Sequence, residues 1–209
     1  SRKPTTDQPA NSLAEFRMTI PVPKPLRTYR IDGRIVVVYD GMATPAECAE
    51  YAGALAEAPF TRSEVATPKT AEYKHWVREF PLQHLPALPL FPRTQAALAP
   101  FTSDGQRYRA YRAYTNHAAF GDMLWTHTDC APGAGELTAL WYLCGQWDPE
   151  WGGETLFYDQ SADAVACVTP RPGRLVVFDG DLRHAGRPPN RVCYAPRYTF
   201  AIKLERVRT

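Results

Sequence analysis

From Arg107 onward the chain breaks into short runs of β-branched and aromatic residues, at Arg107–Tyr114, Met123–His127, Leu137–Cys144, Glu154–Tyr158, Ala164–Thr169, Arg174–Phe178 and Arg197–Leu204. Clusters of Gly, Pro, Asp and Asn separate them, as expected of strands joined by tight connections. An earlier run, Arg34–Tyr39, is bounded by Asp32-Gly33 and Asp40-Gly41 and reads as a buried strand. Helical signals come before the strand-rich half. Thr44-Pro45-Ala46-Glu47 carries the residues of a reciprocal N-terminal cap, with proline where a helix tolerates it, and an alanine-rich stretch continues to about Ala58. A second helix is expected between Pro86 and Leu98, and Phe60 to Phe80 reads as a long irregular excursion. Seven or eight short strands after a helical layer imply a mainly β fold, a sandwich or jelly roll with supporting helices.

The chain has 209 residues, 44% of them hydrophobic, enough for one well-filled core and too few for two independent enzyme domains. Residues 1–25, punctuated by five prolines, read as an extended arm, leaving 26–209 as a single domain with a strand-rich core at about 107–205. With 24 basic against 22 acidic residues, the charge gives no footprint for nucleic acid. The five cysteines lie far apart and contain no C-x-x-C pair, which argues against a disulfide framework and fits the reducing cytoplasm. No run approaches the roughly 18 apolar residues of a membrane span. Oligomeric state is not legible.

His127-Thr128-Asp129 places an imidazole and a carboxylate two residues apart, so on extended backbone both project from one face. The only later histidine is His184, 57 residues on, in the turn-rich Asp179-Gly-Asp-Leu-Arg-His184. Two imidazoles and one carboxylate on one face of an octahedral ion form the facial triad of non-haem Fe(II) oxygenases, with three positions left open. Calcium would require more oxygen ligands.

Further elements follow in order: Tyr142-Leu143, Trp147, Gly152-Gly153-Glu154-Thr-Leu, Pro172-Gly-Arg-Leu-Val-Val-Phe178, His184 and Arg197-Tyr-Thr-Phe-Ala-Ile. In this arrangement the chain, over roughly Ile35 to Leu204, resembles the prolyl-4-hydroxylase-like branch of the Fe(II)/2-oxoglutarate dioxygenases. The resemblance implies a double-stranded β-helix core of the jelly-roll, cupin-like kind. It implies a dioxygenase using Fe(II), 2-oxoglutarate and O2, with His127, Asp129 and His184 as metal ligands and release of succinate and CO2. Because Asp129 is retained, hydroxylation, desaturation, epoxidation or ring formation is expected in preference to halogenation.

Arg197, Thr199, Ala201 and Lys203 alternate with Tyr198, Phe200, Ile202 and Leu204, so one face of this strand is apolar and the other takes a guanidinium into the barrel. A buried unpaired charge is costly, and the remote carboxylate of 2-oxoglutarate would compensate it through a bidentate contact. By family position Tyr142 should reach the same carboxylate and Tyr114 should bond the co-substrate near the metal, with Tyr111 as a substitute for Tyr114. If Tyr114 faces the metal, strand alternation turns Arg112 and Asn116 the same way, and Trp125 shares the face of His127. These are the substrate-side candidates, together with Trp76 from the Arg62–Arg78 excursion, where the family often places a lid. His75, His84 and His117 are expected to be surface or internally satisfied residues. Clustered cations around a cavity would suit an acidic substrate. The expected substrate is a small molecule such as an amino acid or natural-product intermediate. The alternatives are a prolyl or other side chain in a protein, a cupin-type metalloprotein without 2-oxoglutarate, and a non-catalytic ligand-binding jelly roll.

Overall fold

The computed structural model describes residues 20–102 and 104–207. Its organising strand is the last, β11 (Arg197–Arg206), hydrogen-bonded on one side to β5 (Tyr108–Ala118) and on the other to β6 (Leu137–Tyr142). Beyond β6 lie β9 (Leu175–Asp179), β2 (Arg34–Tyr39) and β1 (Arg27–Ile31). Beyond β5 lie β4 (His75–Glu79) and β3 (Thr61–Glu64), completing an eight-stranded antiparallel sheet. A second sheet of three strands runs in the order β10 (His184–Gly186), β7 (Thr155–Tyr158), β8 (Ala164–Val168). The expected mainly β, jelly-roll architecture is what the chain adopts.

Alternation on β11 divides the interior into two. Tyr198, Phe200, Ile202 and Leu204 join Trp141 and Val177 of the neighbouring strands in a core covered by α1 (Pro45–Ala56) and α2 (Leu90–Ala97). Val36, Tyr142, Val176 and Phe178 face the other way, packing with Phe157, Ala166 and Val168 of the smaller sheet. The first cluster holds the helices to the sheet and the second holds the two sheets together. His184 packs against Phe157 and Phe178 of this second layer.

Local chemistry accounts for the boundaries. The Thr44 side chain accepts from the Glu47 N–H at 3.1 Å, while Glu47 Oε2 accepts from the Thr44 N–H at 2.7 Å, forming the expected reciprocal cap. Glu47 also accepts from Arg93 at 2.7 Å, tying α2 to the start of α1. The second helix starts later than expected. Pro86 lies in a 3-10 segment, Leu82–Ala87, and the α-helix begins only after Pro89, because prolines interrupt the i to i−4 ladder. Asp32 and Gly33, both with positive φ, make the two-residue turn that adds β1 to β2.

Two expectations need correction. The Phe60–Phe80 excursion contains the paired strands β3 and β4, because the exposed edge of the long β5 offers β4 a complete ladder from Trp76 to Glu79. Met123–His127 forms no strand, since only His127 makes a bridge, to His184. Residues 1–19 of the expected N-terminal arm lie outside the described residues, and residues 20–25 carry no regular element.

Gly173 fixes the loop between β2 and α1. Its φ is +71°, its carbonyl accepts from the Met42 N–H at 3.0 Å, and an added Cβ would fall 2.0 Å from the Ala43 carbonyl oxygen. Gly41 has a similar φ of +66° but open space around it. Gly41→Ala should therefore cost about 1–2 kcal/mol through backbone conformation alone. Gly173→Ala should cost roughly 3 kcal/mol or more, because backbone must also move. Urea denaturation of the two variants measures the difference.

Candidate active site

His127 lies on extended backbone, and its N–H and carbonyl exchange bonds of 2.9 Å each with those of His184 at the start of β10. Two residues on, the Asp129 N–H donates to Gly180 O at 2.7 Å, so the alternation expected of a strand holds without one. Main-chain pairing thereby fixes all three side chains at one place. Their ligand atoms lie within 4.8 Å of one another, with His127 Nε2 at 3.4 Å from Asp129 Oδ1 and His184 Nε2 at 3.6 Å from Asp129 Oδ2. These residues could hold a metal ion.

The backbone also sets the histidine tautomers. His127 Nδ1 lies 2.9 Å from Trp125 O, and His184 Nδ1 lies 2.9 Å from Leu182 O. A carbonyl only accepts, so each Nδ1 carries a proton, and each Nε2 faces Asp129. Burial lowers the His184 pKa to about 4, keeping it neutral and ready to ligate. Burial opposes ionisation of Asp129, but Lys203, His184 and His127 outweigh it and hold the carboxyl well below its usual range. Two imidazoles and one carboxylate suit a divalent ion that accepts mixed nitrogen and oxygen donors.

A narrow cavity of about 70 Å³ runs from this cluster toward Arg197, past Thr155, Thr199 and Gly186. The Arg197 guanidinium is 3% exposed, donating through Nε to Gly153 O at 2.6 Å and through Nη2 to Thr155 Oγ1 at 2.9 Å. It forms no salt bridge among the described residues. Burial lowers its pKa, the expected cost of a charge that lacks a counter-ion. The paired glycines make room for it. A Cβ on Gly153, where φ is +79°, would come within 2.7 Å of the Trp147 ring and 3.2 Å of Arg197 Cδ. A Cβ on Gly186 would stand 3.3 Å from the guanidinium nitrogens. A buried cation at the end of this narrow cavity fits a ligand with a carboxylate there.

Residues 106–202 match the profile of the 2OG-Fe(II) oxygenase superfamily. The match spans 97 of the chain's 209 residues, the strand-rich segment that holds the ligand cluster. No curated protein matches it significantly by sequence. Among solved structures, this oxygenase resembles an oxidoreductase of the 2OG-Fe(II) oxygenase family from Burkholderia pseudomallei, at 17% identity and a TM-score of 0.59 over 81% of this chain and 84% of that one. A prolyl-4-hydroxylase from Pseudomonas putida gives 15% identity and a TM-score of 0.59, over 81% of this chain and 92% of that one. HygX from Streptomyces hygroscopicus, crystallised with nickel and 2-oxoglutarate, gives 16% and 0.54 over 81% and 82%. At these identities the likeness is one of fold. The profile match and the His127, Asp129, His184 cluster indicate a 2-oxoglutarate- and iron-dependent oxidoreductase. Among the described residues, no helix of the oxygenase is long and apolar enough to cross a membrane.

A second cavity, of about 320 Å³, opens on the other side of the cluster and shares His75, Tyr114, Asn116, His127, Asp129 and Lys203 with the first. Arg112, Tyr114 and Asn116 line it together, as alternation along β5 requires. Trp125 lines the narrow cavity beside His127 and packs on Tyr73 with ring centroids 5.4 Å apart. Trp76 lies outside both cavities, with Arg62 over its ring, and the adjacent His75 points inward in its place. His75 is 7% exposed, and burial lowers its pKa, so the sequence expectation of a surface or satisfied histidine does not describe it. Tyr142 stands behind Thr155, to which its hydroxyl is 2.7 Å, and does not line the narrow cavity. Tyr111 is engaged with Glu136 at 2.7 Å and reaches only the wider cavity.

Gly153→Ala should lower stability by roughly 2 kcal/mol from its left-handed backbone alone. The displaced Trp147 should shift its fluorescence, so an emission spectrum identical to that of the parent protein would contradict the packing described here.

Proposed function

We propose that this oxygenase hydroxylates, or otherwise oxidises, a small polar molecule rich in hydrogen-bond donors. The observation carrying this reading is the wider cavity beside Asp129. At about 320 Å³ it falls at the small end of ligand pockets, and its wall is polar. In this reading His127, Asp129 and His184 hold Fe(II), Arg197 grips the remote carboxylate of 2-oxoglutarate, and Tyr114 flanks the co-substrate near the metal. When bound, iron and 2-oxoglutarate supply the activation of O2 and the C–H oxidation, with succinate and CO2 as co-products.

The protein's own groups bind and orient. Thr155 is hydrogen-bonded to both Arg197 and Tyr142, which fixes the direction of the guanidinium fork. Arg112 does not offer a free cation to a substrate. Glu64 and Glu79 both accept from it, and its guanidinium lies 4.1 Å from the Tyr114 ring centroid. Two carboxylates on one arginine leave the wall with no surplus positive charge, so an acidic substrate gains nothing there. Asn116 is different. Its Oδ1 is buried and has no hydrogen-bond partner among the described residues, and the side chain lines both cavities. An acceptor in that state requires a hydroxyl or N–H from whatever fills the space.

A peptidyl substrate is the second reading. It is favoured by the exposed Phe120, Met123 and Trp125 on the loop before His127, which would give an extended chain an apolar path to the metal.

Anaerobic addition of Fe(II) and then 2-oxoglutarate should produce a visible charge-transfer band, lost in His127→Ala. Arg197→Met should retain Fe(II) and bind 2-oxoglutarate roughly 10- to 100-fold more weakly, the worth of a charge-assisted hydrogen bond. Binding unchanged in Arg197→Met would remove it from the co-substrate site. For the substrate, compounds that accelerate succinate release should be small hydroxylated or amino compounds, with prolyl peptides inert. Asn116→Leu should raise KM for such a compound about 3- to 10-fold. Turnover of peptides alone would replace the first reading with the second.

A further inference from the structure

Lys203 lies on the same face of β11 as Arg197, six residues on, and is 6% exposed. Its ammonium pairs with Asp129 Oδ2 and donates to Thr138 Oγ1 at 3.1 Å. Thr138 in turn donates to the same Oδ2 at 2.5 Å. The triangle is set by sheet register, since Lys203 stands opposite Thr138 on β6 and opposite Arg112 on β5. Arg112 is taken by Glu64 and Glu79, and Tyr114 presents its ring, 5.8 Å from the Lys203 nitrogen. Asp129 is therefore the only carboxylate paired with Lys203 among the described residues. Oδ2 holds two donors, while Oδ1 has only the His127 edge at 3.4 Å.

We propose that Lys203 is the internal counter-ion of Asp129, which with Thr138 keeps the ligand set assembled without metal and leaves Oδ1 as the oxygen offered to the ion. This rests on reading His127, Asp129 and His184 as the metal ligands. A buried carboxylate has to be compensated at every stage. Without Lys203 the ion itself would have to supply that compensation, and the metal-free site would bury an uncompensated carboxylate. With Lys203 in place, the carboxylate is neutralised before the metal arrives. The bound ion then presents its full positive charge to an anionic co-substrate. Lys203 is thus a positioning residue acting through Asp129.

The test uses Lys203→Met, which keeps the length and apolar stem but removes the charge, and redox-inert Ni(II) as probe. Metal-free Lys203→Met should melt roughly 5 °C or more below the parent protein. Ni(II) should raise its melting temperature by more than it raises that of the parent. Asp129→Asn should also lower the melting temperature of the metal-free protein. The Asp129→Asn, Lys203→Met double variant should then melt above either single one, which keeps the test usable if one variant folds poorly. Equal metal-free stability of Lys203→Met and parent, a Ni(II) shift no larger in the variant, or a double variant weaker than both singles would each overturn the proposal. Absence of any Ni(II) shift in the parent would instead overturn the ligand assignment on which it rests.

Discussion

The structure depends on a strand that must be two things at once. β11 contributes Tyr198, Phe200, Ile202 and Leu204 to the helix-covered core, and it sends Arg197 and Lys203 into the space between the sheets. Six residues of extended chain put these cations about 20 Å apart along the strand. Each must be compensated within a medium that penalises isolated charge. Lys203 is matched by Asp129, and Arg197 is not matched by any carboxylate of the described chain. One cation is satisfied by a carboxylate of the protein and the other only by neutral acceptors.

Register carries that arrangement to the neighbouring strands. Thr138 stands beside Lys203, and Asn116 and Tyr142 lie opposite Thr199 on either side of β11. Shifting β11 by one residue would bury the charges in the apolar core and turn Phe200 toward the cavity, so the pairing is specified from both faces. His127 and His184 are joined more locally, by a single two-way backbone bridge. The proposed metal ligands therefore combine that main-chain bridge with side-chain contacts, from Phe178 to His184 and from Thr138 and Lys203 to Asp129.

Much of this was legible in the chain before any fold was known. The two-residue spacing of His127 and Asp129 and the lone downstream histidine located the cluster, and the alternation of β11 put Arg197 inside. That alternation put Lys203 inside as well. It was overlooked because a lysine so near a strand end ordinarily reaches solvent, and its partner lies 74 positions earlier in the chain. The strand character of Phe60–Phe80 was hidden for a related reason. Its charged and aromatic residues show no period of two, and it becomes sheet only because β5 offers an open edge. Trp76 drew attention by size, yet its neighbour His75 faces the cavity, a distinction that only the pairing of β4 on β5 decides.

The Glu64–Arg112–Glu79 brace has a consequence for how such an oxygenase can diversify. β3 and β4 attach to the sheet along one edge of β5, through this arginine and through the Arg62–Asp122 pair, and from them only Glu64 and His75 face the wider cavity. The residues read as holding iron and 2-oxoglutarate come from β10, β11 and the extended segment before β6. The hairpin is thus a replaceable wall on a fixed frame. Sequence drift there can reshape what fits beside the metal while the ligand cluster and Arg197 keep their places.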